Sequence, residues 1–198
     1  MGPRITRIFS FFAAWLMWAL PASAQQLSYD SLAGSFVKEL NALRADPASY
    51  LPRIEEYRVQ VQSFTPSIKK LNKAVSEIKT ILAKQSPLLP LTVDSALMKA
   101  AADHVADAAA TGILGHIGSS GSNPGTRVAR YGLYRDLSEA ITYGHLSTAL
   151  MLASFLVDEG TPDRGHRKSV LASQYTKIGV AIGYHPKYDI QLVVLVGN

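Results

Sequence analysis

The chain has 198 residues, with 20 Lys and Arg against 15 Asp and Glu, and contains no cysteine. The missing cysteine excludes disulfides, thiol catalysis, cysteine-ligated zinc and a lipid-modified amino-terminal Cys, so stability has to come from a packed core. The net charge of +5 is not gathered into basic runs interleaved with aromatics, which argues against a nucleic-acid partner.

Residues 1–24 have the layout of a cleaved secretory signal. Arg4 and Arg7 precede an uncharged, mostly apolar run from Ile8 to Leu20, and Pro21 and the small triplet Ala22-Ser23-Ala24 follow, so cleavage is expected after Ala24. The apolar run is shorter than the roughly 20 residues a membrane span needs, and there is no twin-arginine pair, so the chain is expected to be exported unfolded. A periplasmic or secreted monomer is expected. Residues 25–198 are the right length for a single domain with one sizeable core.

Tyr29 to Ala45 reads as a helix, with Leu32, Phe36, Leu40 and Leu43 at three-to-four spacing and Asp46-Pro47 ending it. Within the Lys-rich segment 53–86, Ile68, Leu71, Val75, Ile78 and Leu82 form an apolar stripe with lysines on the other faces, the pattern of a helix lying on its own domain. Pro87 and Pro90 interrupt it. Asp94 or Ser95 then caps a helix that runs to Gly112. After a glycine- and serine-rich loop, "TRVARYG" suits a short helix, "SEAITYG" a strand, "STALMLASFLVDEG" a buried helix and "RGHRKSVLAS" another helix. Two closing strands, "KIGVAIGYHP" and "DIQLVVLVGN", meet at Pro186-Lys-Tyr-Asp189. Helices before and around a late sheet predict an α+β fold, an α-β-α sandwich with a mainly antiparallel sheet covered by helices.

The loop "GILGHIGSSGSNPGTR" over 112–127 is not a nucleotide cradle, because its glycines lack the spacing and no Lys-Ser/Thr pair follows. None of its serines sits in Gly-x-Ser-x-Gly, so they read as turn and capping residues. His116 remains, and a lone histidine means little without a second strong ligand. His166 supplies a candidate. Glu139 and the pair Asp158-Glu159 add carboxylates between the two. Two imidazoles and two carboxylates can hold zinc or another divalent ion, perform general acid/base chemistry, or form a hydrogen-bonded network that orders the cleft without metal, provided folding brings them together.

The series Asn41-x-x-Arg44-x-x-Pro47, Gly115-His116, Arg127, Tyr131-Gly132, Ser138-Glu139, Phe155-x-x-Asp158, Arg164-Gly-His-Arg167 and Ile178-Gly-Val-Ala-Ile-Gly183 resembles the CAP superfamily, the SCP-like extracellular domains of cysteine-rich secretory and pathogenesis-related proteins. The resemblance implies a cleft carrying His116, Glu139, Asp158 and His166, with His116 and His166 able to bind a divalent metal such as zinc and the two acids beside them. Asp158 stands where many relatives have the longer Glu, and Phe155 where tryptophan is common. Segment 53–86 has no counterpart in the compact pattern and reads as a helical insertion, a docking surface for an acidic partner or membrane face. The resemblance also implies a lipid, sterol or cell-envelope ligand. A hydrolase using Glu139, His116 and His166 is the alternative.

Overall fold

The computed structural model describes residues 22–198, with side chains from Ser28 onward. The expected signal over 1–24 lies almost wholly outside the described residues. The elements run α1 (Ala22–Ala45), a 3-10 turn (Pro47–Tyr50), α2 (Leu51–Val61), α3 (Ile68–Leu82), β1 (Thr92–Val93), α4 (Ser95–Thr111), α5 (Pro124–Val128), β2 (Leu137–Tyr143), α6 (Thr148–Val157), α7 (Gly165–Leu171), β3 (Lys177–His185) and β4 (Asp189–Gly197).

The strands form one sheet in the order β1-β3-β4-β2. The β3–β4 and β4–β2 pairs are antiparallel, and only the two-residue β1 is parallel to its neighbour β3. Alternation along the strands divides the core in two. Ile178, Val180 and Ile182 of β3, with Ile190, Leu192, Val194 and Val196 of β4, face a layer built from α1, α2, α3, α6 and α7. Val193 and Leu195 of β4, with Ile141 of β2, face α4 and α5. The sheet is therefore covered on both faces, as the order of the sequence elements predicts.

Segment 53–86 belongs to that core. Leu71, Val75, Ile78 and Leu82 of α3 are buried, as are Ile54 and Tyr57 of α2, and Lys79 pairs with Glu55 at 2.6 Å between the two helices. Periodicity anticipated α3 but not α2 or β1, because α2 buries only two side chains and β1 is too short to show a period. The short helix after the loop starts at Pro124, behind an Asn123 cap. Asn123 and Thr126 form a reciprocal capping box, and Pro124 stands where its missing N–H leaves no bond unmade.

One face of β3 presents Gly179, Ala181 and Gly183 to α4. A Cβ on Gly179 would stand 2.2 Å from the Leu97 carbonyl carbon, and one on Gly183 would stand 2.4 Å from Val105 Cγ1. The helix thus lies directly on the strand, at a distance that any larger residue would prevent. Gly179→Ala is expected to lower stability to urea by about 1–3 kcal/mol. Gly160→Ala, where a Cβ meets nothing within 4 Å, should change it by less than about 0.5 kcal/mol. Equal effects from the two would contradict the close approach.

Candidate functional site

His116 sits in the loop after α4, and the fold holds that loop by its backbone. Gly112 ends α4 in the left-handed conformation (φ 72°). His185 Nε2 donates to the Ile113 carbonyl at 3.1 Å, His104 Nε2 donates to the Gly115 carbonyl at 2.8 Å, and the Gly115 N–H donates to the Tyr143 hydroxyl at 3.0 Å. Because a carbonyl only accepts, both buried histidines carry their proton on Nε2. Burial pushes His104 below the usual imidazole range, and among the described residues its Nδ1 has no hydrogen-bond partner. Arg127 completes the mount by donating from Nη1 to the carbonyls of His116 at 3.0 Å and Ser122 at 2.9 Å.

Glu139, on β2, joins the loop to the sheet. Its Oε1 accepts from His116 Nδ1 at 2.9 Å and its Oε2 from Arg127 Nη2 at 2.5 Å. The side chains of Glu139 and Arg127 are 1% and 2% exposed, whereas that of His116 is 47% exposed. The carboxylate is thus buried and fully engaged, and it turns the solvent-facing ring so that Nδ1 points inward.

Asp158 does the same for His166 from the opposite side. It terminates α6 in the left-handed conformation (φ 50°), and this places its short side chain against the start of α7. Oδ1 accepts from His166 Nδ1 at 2.9 Å, while Oδ2 accepts from the backbone N–H groups of His166 at 2.9 Å and Arg167 at 3.3 Å. Burial by itself would raise the carboxyl, but hydrogen bonds from His166 and Thr161 outweigh it and hold Asp158 below the usual carboxylate range. Phe155 lies against His166 with ring centres 5.4 Å apart. Glu159 points elsewhere and accepts from the Thr65 hydroxyl at 3.3 Å.

Of the residues singled out in the sequence, His116, Glu139, Asp158 and His166 come together, with the imidazole ring centres 6.3 Å apart. Each ring has Nδ1 bound to a buried carboxylate, which leaves Nε2 as the free nitrogen. The acids therefore stand behind the imidazoles rather than beside them, and among the described residues no group of three or more His, Asp or Glu is arranged to hold a metal ion. What remains is a two-nitrogen donor set. An ion bound tetrahedrally at about 2.0–2.1 Å from both Nε2 atoms would bring the ring centres to roughly 5 Å, about an ångström closer than they stand.

A profile of the cysteine-rich secretory protein (CAP) family matches residues 37–198. The chain belongs to the CAP family. Solved structures that resemble this CAP domain include an outer surface protein of Borrelia burgdorferi (19% identity, 65% of this chain and 88% of that one, TM-score 0.48). Others are an SCP-domain extracellular protein of Bacillus anthracis (24% identity, 56% and 34%, TM-score 0.47) and a cysteine-rich secretory protein of Staphylococcus aureus (16% identity, 66% and 38%, TM-score 0.43). The CAP domain thus spans only about a third of the last two. No curated protein matches the chain.

Pattern alone does not show how Arg127, His104, Tyr143 and His185 act. His104 did offer a sign, since it shares the buried face of α4 with Ala100, Ala101 and Ala108. Arg164 and Arg167 anchor the chain around His166 by donating to backbone carbonyls and to Glu77 of α3.

Arg127→Met should cost about 3–5 kcal/mol in urea denaturation by leaving Glu139 buried and unpaired, and adding Glu139→Gln should recover part of it. Strict additivity of the two changes would exclude coupling. Asp158, whose folded-state pKa is depressed, contributes stability that is present above its unfolded value near about 4 and is lost as pH falls through the folded value. Asp158→Asn should therefore flatten the acid limb of stability against pH and lower stability at neutral pH. Parallel acid limbs would contradict the assignment.

Proposed function

We propose that the protein is an exported binding domain whose two histidines take a divalent metal, zinc being the reference ion, through the Nε2 atoms of His116 and His166. The observation that supports this is the shared orientation of the two rings: each Nδ1 is held by a buried carboxylate, and among the described residues neither Nε2 atom has a hydrogen-bond partner. Glu139 and Asp158 select the tautomer and raise the basicity of the ligating nitrogens, the usual part of a carboxylate behind a metal-binding histidine. When bound, the ion supplies a Lewis-acidic point with open positions for a ligand. The export reading is supported by the signal layout of residues 1–24, and among the described residues no helix is long and apolar enough to cross a membrane. Leu114 and Ile117, both exposed, flank His116 and suit the apolar part of a lipid or cell-envelope ligand.

The hydrolase alternative is weakened at one point. Both oxygens of Glu139 are already engaged, one of them with Arg127, so this carboxylate is suited to orienting His116 rather than to taking a substrate proton.

Calorimetric titration of chelator-treated protein with zinc should show one ion per chain. Glu139→Gln is expected to weaken binding by about 10–100-fold. His116→Ala/His166→Ala should abolish it, and equal binding by that variant and the wild type would falsify the reading.

A further inference from the structure

A second site lies beyond the histidines, behind the loop that carries Asp158. A cavity of about 530 Å³ is walled by Thr65, Ser67, Lys70 and Lys73 before and along the start of α3, and by Glu159 and Arg164 opposite. Three cations therefore border one space, and they differ in how far they are already used. Arg164 is pinned: Nε donates to Glu77 at 3.0 Å, and Nη1 donates to the carbonyls of Asp158 at 2.6 Å and Thr161 at 3.2 Å. Its side chain is only 17% exposed, and among the described residues Nη2 has no hydrogen-bond partner. Lys70 and Lys73 make no ion pair among the described residues, in contrast to Lys79, which is paired with Glu55. Glu159 is the one acid on the wall, and it is held by Thr65. Ser67 already caps the start of α3 by accepting from the Lys70 N–H, so the free donors are side chains.

The geometry points to an anion-binding pocket for a phosphate-type group, a compact oxyanion able to accept from two mobile ammoniums and one fixed guanidinium nitrogen at once. A doubly charged tetrahedral anion suits three donors arriving from two walls better than a single carboxylate does. The pocket shares the Asp158–Arg164 loop with the histidine site: Arg164 lines the pocket and donates to the Asp158 carbonyl. The inference does not require the histidines to hold metal.

Titration with inorganic phosphate, in chelator and with sodium chloride at fixed ionic strength, tests it by chemical-shift perturbation and calorimetry. Wild type is expected to bind one phosphate with shifts centred on residues 65–73 and 159–164. Lys70→Gln/Lys73→Gln should weaken binding roughly tenfold or more. Lys69→Gln/Lys84→Gln removes the same charge from outside the pocket and should leave binding within about twofold, apart from screening. Thermal melts check that all variants fold. Equal weakening by both pairs would reduce the effect to net charge and overturn the site, as would the absence of saturable binding to wild type. Glycerol phosphate and vesicles containing phosphatidylglycerol then separate a free phosphoester from a lipid head group: competition with inorganic phosphate by the first alone assigns a soluble ligand, and competition by the second assigns a membrane one.

Discussion

Arg127 and Glu139 are both almost wholly removed from water, and each is the other's ionic partner at 2.5 Å. Taking two charges out of water contributes little net stability, so their value here is geometric. Arg127 grips the loop through two backbone carbonyls while Glu139 grips the His116 ring from the sheet. The pair transfers the rigidity of β2 to a glycine-rich loop that has no regular structure of its own. An imidazole almost half exposed is held in one orientation by groups that solvent does not reach.

The other histidine is secured by different means. Asp158 and His166 are local in sequence, and a left-handed residue at the end of α6 folds the carboxylate back onto the first turn of α7. That hairpin of structure is braced from outside by α3, whose Glu77 meets both Arg164 and Arg167, and whose Ala74 carbonyl accepts from Arg167. The Lys-rich segment therefore does two things. Its apolar stripe completes the core, and its polar face supports one wall of the site while lining the neighbouring cavity. A mutation in α3 should be read with both roles in mind.

Between the two mounts lies a sheet whose faces are unequal. The face toward α1 and α6 carries branched residues, whereas β3 turns glycine and alanine toward α4. Close seating of α4 places His104 beneath the loop, where its ring reaches the Gly115 carbonyl. Packing in the core and the position of His116 are thus one arrangement, connected through a helix that no larger residue on β3 would admit.

Much of the fold could be read directly, because α1 and α3 carry helical periods, α3 and α4 have clear caps, and the closing strands are continuous apolar runs. The order of elements implied a sandwich, and the chemistry of His116, Glu139, Asp158 and His166 made them candidates as residues. Local pattern could not supply α2, with two buried side chains, or β1, with two residues. Nor could it reveal that Arg127 is buried, since an arginine in a turn-rich stretch looks exposed until its partner on β2 is known. What the sequence by itself determined is the set of chemical groups and the rods that carry them, through propensity, period and capping. Only the tertiary structure decided which way His116 turns, because its Nδ1 meets Glu139, 23 residues away, and only the tertiary structure braces the His166 turn against α3, through Arg167 and the Ala74 carbonyl 93 residues before it. Long-range hydrogen bonds leave no periodic trace in the chain.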